Sequence, residues 1–159
     1  MRKLVVLLTL TFISTSIWGQ TSEYRVRRIE VEPSFGMGRG VNLALEARVN
    51  INSYWDVGFR ASMSNLGSAS MIVSDYNFAR PNKNFLFFVG GGLGWGEHDR
   101  SGYVDGPSNV TDEVLFMPRA GIELFQHLRL SLNIHTYNLS DVYPILSIGI
   151  VFGGGRKQH

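Results

Sequence analysis

From Ile29 onward, apolar and polar residues alternate along the chain. The plainest stretch sets Val41, Leu43, Leu45, Ala47, Val49 and Ile51 against Asn42, Ala44, Glu46, Arg48 and Asn50. A period of two belongs to a strand with one apolar and one polar face. The segment before it sets Ile29, Val31, Phe35 and Met37 against Glu30, Glu32, Ser34, Gly36 and Gly38, and the one after sets Trp55, Val57, Phe59, Ala61 and Met63 against Asp56, Gly58, Arg60, Ser62 and Ser64. A fourth strand over Ala69–Asn77 is less regular, because Met71, Ile72 and Val73 are contiguous and leave its parity open; Asp75 is placed inside and Tyr76 outside.

The alternation continues in four more segments. Phe85, Phe87, Val89, Leu93 and Trp95 oppose a row ending in Gly90, Gly92, Gly94 and Gly96. Val114, Phe116, Ala120, Ile122 and Leu124 oppose Met117, Arg119, Gly121 and Glu123. Leu128, Leu130, Leu132 and Ile134 oppose Arg129, Ser131, Asn133 and His135, and Leu146, Ile148, Ile150 and Phe152 oppose Ser147, Gly149 and Val151. Eight strands of about ten residues have the length a tilted membrane strand needs, and an even number brings both ends to one side. The expected fold is all-β: an eight-stranded antiparallel up-and-down transmembrane β-barrel. Turns at Asn52-Ser53, Arg80–Asn84 and Gln126-His127 would face the periplasm, and the longest connection, Glu97–Asp112, would face outward. Pro33 and Pro118 each remove a ladder donor, which predicts bulges or local strand ends.

Alternation alone also fits a soluble lipocalin-like carrier with its apolar row turned inward. The composition of the polar row separates the two. A solvated strand face normally carries lysine, yet Lys83, in a predicted turn, and Lys157, in the tail, are the only lysines after Lys3. The row holds Gly, Ser, Asn and Ala with Glu30, Glu32, Glu46, Arg48, Asp56, Arg60, Arg119, Glu123 and Arg129. Small residues suit the narrow interior of an eight-stranded barrel, where arginine forks can pair with carboxylates. These nine charges are expected to form an interior ion-pair network. Tyr54, Trp55, Tyr76, Phe78, Phe85, Trp95, Phe125, Tyr143 and Phe152 fall near strand ends, where interfacial girdles sit.

The N-terminus changes the setting. Arg2 and Lys3, the apolar run Leu4–Ile13 and the softer zone ending at Gly19-Gln20 have the order of a secretory signal peptide, with cleavage placed after Gly19. The apolar run is shorter than the ~20 residues of a spanning helix. The expected organisation is a signal peptide over 1–19, a lead-in over 20–28, the barrel over 29–153 and a tail over 154–159. Of 15 basic residues, Arg2 and Lys3 would leave with the signal, and the rest balance the 13 acidic ones. That balance lacks the basic footprint of a nucleic-acid-binding protein. The absence of cysteine excludes disulfides, thiolate metal sites, a cysteine nucleophile and lipidation at an N-terminal cysteine.

The signal peptide, Phe85–Trp95 (FLFFVGGGLGW), Met117–Leu124 (MPRAGIEL) with His127–Leu132 (HLRLSL), and the closing Ile148–Gly155 (IGIVFGGG) together resemble small outer-membrane β-barrel proteins of the OmpA, OmpX and OmpW type, over about Ile29–Gly155. The resemblance implies a place in the outer membrane of a Gram-negative bacterium, with outer-membrane lipid and the barrel-assembly machinery as partners and a possible extracellular ligand at the long loop. It does not imply one activity, since such barrels include anchors, adhesins, small channels and enzymes. Many of them end on an aromatic residue, whereas Phe152 is followed here by seven more residues.

Three constellations invite chemistry. The glycines at 90, 91, 92, 94 and 96 satisfy no G-x-G-x-x-G frame and precede no helix, so crowding in the interior explains them better than a phosphate cradle. Glu97, His98, Asp99, Asp105, Asp112 and Glu113 could ligate calcium loosely, but their spacing favours a solvated acidic loop. His135-Thr136-Tyr137-Asn138 is faintly similar to the His-x-Ser-Asn of lipid A deacylases, with Tyr137 where the nucleophilic serine would stand and His135 expected inward. His98, His127 and His159 lie in a loop, a turn and the tail. No catalytic, cofactor-binding or metal-ligating residue is assigned, and no cofactor is expected. The reading is a noncatalytic barrel with a side-chain-filled interior and a structural or surface-interaction role; a small solute channel, a lipid-modifying enzyme and a soluble carrier are the alternatives.

Overall fold

A computed structural model describes residues 29–52, 54–65, 67–78, 85–99, 110–125 and 127–153. The signal peptide, the lead-in, the tail with Lys157 and His159, the 80–84 turn with Lys83, Gln126, Asp105 and the side chains of His98 and Asp99 lie outside the described residues.

Eight strands follow in chain order: β1 (Ile29–Met37), β2 (Val41–Asn50), β3 (Trp55–Ser64), β4 (Gly67–Phe78), β5 (Phe85–Asp99), β6 (Val110–Leu124), β7 (Leu128–Tyr137) and β8 (Asp141–Ile150). Each pairs antiparallel with its sequence neighbours, and β8 closes on β1, giving a closed up-and-down barrel. A path through paired residues runs from Glu32 through Glu46, Arg60, Met71, Gly94, Leu115 and Tyr137 to Asp141. Continued in the β8–β1 register it reaches position 42, ten residues beyond its start. That stagger over eight strands corresponds to a tilt of about 40° at ~3.3 Å per residue and ~4.8 Å between strands. Ten-residue strands at this tilt span about 25 Å along the axis, the height of a membrane barrel's apolar band.

The predicted parity holds. Glu30, Glu32, Asn42, Glu46, Arg48, Asp56, Arg60, Arg119, Arg129, Asn133 and Ser147 are buried in the lumen, whereas Leu43, Leu45, Phe59, Leu93 and Ile148 are exposed on the outside. Trp95 is 68% exposed. On β4 the open question closes: Met71, Val73 and Asp75 point inward and Ile72 outward. A belt of exposed aliphatic and aromatic side chains on every strand far exceeds what a monomer keeps in water. It demands a hydrocarbon surround, and the soluble-carrier alternative is thereby corrected.

Other expectations also change. Pro33 and Pro118 produce neither bulges nor strand ends. Val31 and Phe152 exchange both backbone bonds (2.9 and 2.8 Å), the next such rung would fall on Pro33, and pairing resumes at Ser34↔Gly149 in unchanged register. Between β6 and β7 the ladder skips Met117 and Pro118 and likewise resumes in register. Proline lacks the N–H, so one rung is lost and the strand runs on. The long connection is shorter than expected, because Glu97–Asp99 pair with Val110–Asp112 and carry the β5–β6 hairpin past its neighbours. Asp112 and Glu113 therefore sit on a strand instead of in a loose acidic loop. β8 begins five residues before the first residue of its predicted alternation, at Asp141, and includes Pro144. Tyr143 leaves the expected girdle: it packs toward the lumen against Tyr137, 6.0 Å between ring centroids, with Arg39 5.1 Å from its ring centroid.

At the end carrying the termini, Asn52 caps the β2–β3 turn by accepting from the N–H groups of Tyr54 and Trp55, both at 2.8 Å. At the other end, Asn138 and Leu139 both have positive φ, 45° and 60°, and the Ser140 N–H reaches the Tyr137 carbonyl at 3.0 Å. The three-residue connection 138–140 thus opens with two successive left-handed residues, the backbone sense whose twist suits antiparallel strands.

Candidate functional site

Among the described residues polar chemistry is concentrated in the lumen, which has two tiers. Near the termini, strands β1, β2, β3, β4, β6 and β7 project their inward charges to a common level, because alternation repeats every second residue and the registers align the rows. Glu46 is the hub. Its Oε2 accepts from Arg119 Nη1 at 2.6 Å and Arg60 Nη1 at 3.1 Å, and its Oε1 from Arg119 Nη2 at 2.7 Å and Arg48 Nη1 at 3.0 Å. Arg119 turns its other edge to Asp75, with Nε–Oδ1 at 2.7 Å and Nη2–Oδ2 at 2.6 Å. Arg129 also binds Asp75 through Nη2 and lies over the ring of Phe88, 3.5 Å from its centroid. Arg48 extends the network to Glu32 at 2.7 Å and Glu30 at 3.2 Å.

Four buried arginines thus meet the buried carboxylates of Glu30, Glu32, Glu46 and Asp75, while buried Asp56 accepts from Asn77 Nδ2 at 3.0 Å. Bidentate arginine–carboxylate pairs are among the stronger hydrogen-bonded contacts, and the sharing of Glu46 and Asp75 ties five strands together across the lumen. Isolated charges at this depth would cost several kcal/mol each, so the network is stable only as a set.

The second tier, away from the termini, centres on an apolar cluster. Ala69, Met71, Val73, Leu115, Met117 and Tyr137 form one buried cluster, with Tyr143 packed against it. The β5 glycines make room for it. A Cβ on Gly92 would come within 3.0 Å of Met71 Sδ and 3.2 Å of Met117 Cε, and one on Gly96 within 2.9 Å of Ala69 Cβ. The glycine row is therefore the inner wall against which the plug rests.

Of the nine charges expected inside, eight are buried, and Glu123 is half-buried near the rim at the termini. Asp75 was placed inside from the sequence but not counted among the network, of which it is the second anchor. The signal was available in its inward parity, obscured by Met71-Ile72-Val73. His135 points into the lumen, 4% exposed, as its parity required, and its ring is 6.5 Å from that of Tyr137. Its Nε2 has no hydrogen-bond partner among the described residues. His127 lies at the other end, with Nδ1 3.2 Å from the Val151 carbonyl. Among the described residues no group of three or more His, Asp or Glu could hold a metal ion.

This geometry defines a transmembrane β-barrel with a filled, ion-paired lumen. No protein-family model and no curated protein matches the sequence. Solved structures do match. The N-terminal β-barrel domain of Pseudomonas aeruginosa OprF aligns with a TM-score of 0.62 and 13% identity, over 80% of this chain and 100% of that one. A de novo designed transmembrane β-barrel aligns with a TM-score of 0.55 and 13% identity, over 82% of this chain and 98% of the design. The outer-membrane enzyme PagL aligns at 0.46 with 16% identity, over 77% and 98%. The chain has the fold of the small outer-membrane barrels.

Proposed function

We propose that the protein is a noncatalytic barrel of the bacterial outer membrane, held shut by its own side chains, with a structural role and a surface-interaction role carried by the β5–β6 hairpin. The observation that carries this reading is the two-tier filling: a shared ion-pair network under an apolar plug. The hairpin supports the second half, because β5 and β6 have 15 residues each while the connections at 38–40 and 138–140 are short turns. Residues 1–19 are the export signal in this account and the barrel-assembly machinery the folding partner. His135, turned from the lipid and followed by Tyr137 where a serine nucleophile would be needed, supports the noncatalytic reading.

Planar-bilayer recording tests it. The wild-type protein is expected to show no stable conductance, and Met71→Gly with Met117→Gly to show at most brief openings, because the ion pairs still block the path. Stable wild-type conductance would replace the plugged reading by a channel. A change in the acyl pattern of lipid A in cells expressing the protein, read by mass spectrometry, would replace it by an enzyme.

A further inference from the structure

The outer wall of the barrel carries a groove that nothing in the lumen accounts for. It has a volume of about 820 Å³ and runs across the strands between two rows of outward side chains. One row is continuous through direct pairs, Leu45↔Ala61, Ala61↔Ser70 and Ser70↔Trp95. The other runs Leu43↔Met63 and Met63↔Ser68, and Ser68 Oγ then donates to Glu97 at 2.9 Å. Small side chains at Ala61, Ser68 and Ser70 keep the floor low between the taller walls of leucine, methionine and tryptophan.

Two features say what fits. Because the strands are tilted, a path perpendicular to them climbs the barrel. The groove starts beside Pro33, in the middle of β1, and ends at the far ends of β5 and β6. It therefore leads from mid-membrane to the rim, the course of a lipid chain whose head lies at the interface. At that upper end Glu97 and Asp112 face each other directly across the β5–β6 ladder. Both are exposed, and among the described residues no arginine or lysine pairs with either. Like charges placed opposite destabilise a sheet, and a cation between them relieves that repulsion.

We infer that this groove binds one chain of a membrane lipid whose headgroup carries an ammonium, the ammonium resting on Glu97 and Asp112 beside Trp95 and the chain on Ala61 and Ser70. The inference rests on the barrel lying in a bilayer and is independent of whether the lumen conducts. Ammonium–carboxylate pairing at a wet interface is modest, so the preference over an anionic headgroup with identical chains is roughly three- to tenfold.

Native mass spectrometry of the folded protein, released from micelles containing equal amounts of phosphatidylethanolamine and phosphatidylglycerol with matched chains, tests it. Wild type is expected to retain the ethanolamine lipid preferentially. Glu97→Gln with Asp112→Asn, at the rim where folding makes little demand, is expected to abolish the preference while lipid still binds. Ala61→Leu with Ser70→Leu is expected to lose both lipids. Equal retention by the wild type, a preference that survives Glu97→Gln with Asp112→Asn, or a dimer that Ala61→Leu dissociates would each overturn the assignment. The first two readouts decide even if the leucine variant does not fold.

Discussion

Asp75 shows how much one side chain can carry inside a narrow barrel. It accepts from both Arg119 and Arg129, and Arg119 in turn grips Glu46, so its charge balances two guanidinium groups at once. Asp75→Asn keeps the shape and removes the charge, leaving a cation in surplus among buried neighbours. The expected cost is about 3–5 kcal/mol, the usual result of removing one partner of a buried pair. Urea unfolding of the protein in micelles, followed by tryptophan emission, measures it. The exposed Asp112→Asn, by contrast, is expected to stay within about 0.5 kcal/mol of wild type. At this scale the sequence is readable only through parity. Arg48, Arg60, Arg119 and Arg129 were legible as interior because they sit in the polar rows of clean alternations, whereas which carboxylate each one grips depends on register. Tyr143 was misassigned for a related reason: a tyrosine near a strand end suits an interfacial girdle, and Pro144 beside it hides the alternation that turns it inward.

Among the elements, the strands that read clearly from the sequence are those whose two rows differ most in chemistry. β2, with an unbroken apolar row opposite Asn42, Glu46, Arg48 and Asn50, came out with its predicted faces. β4 resisted because its inward row mixes Ala69, Met71 and Val73 with Asp75 and Asn77, and its outward row holds serines, so neither row looks like a core or a lipid face. The reason is structural: β4 contributes to both tiers of the lumen and to the floor of the outer groove. The ends of β5 and β6 were missed because charge suggested a solvated loop, whereas cross-strand pairing continues past the membrane wherever a hairpin can project. The turn between β7 and β8 offers a test of local geometry. Leu139 holds a left-handed backbone at φ 60°, and left-handed conformations cost a non-glycine residue roughly 1–2 kcal/mol. Asn-Gly is the pair preferred where two successive turn residues both take positive φ. Leu139→Gly is accordingly expected to raise stability by about 1 kcal/mol without changing the fold, seen as a higher urea midpoint at constant slope.

At the scale of the whole molecule the fold resolves a conflict that would be fatal in water. The chain must pair every strand edge, enclose several charges and leave its largest side chains uncovered. Closing the sheet removes the edges, the stagger sets a lumen of the width its side chains fill, and the exposed belt is satisfied when lipid is the solvent. The same stagger tilts the outer groove from mid-membrane to rim. Strand number, stagger and filling are thus one solution, and a register slip of a single residue in a strand would turn that strand's inward charges to the lipid face.

The orientation of the alternating rows carries all of this, and spin labels placed one at a time along β2 measure it directly, since the chain has no cysteine of its own. In bilayers, labels at Val41→Cys, Leu43→Cys and Leu45→Cys are expected to collide readily with oxygen dissolved in the lipid, and labels at Asn42→Cys and Ala44→Cys to be shielded from it. The opposite phase, or uniform exposure to a water-soluble relaxant along the strand, would contradict the account.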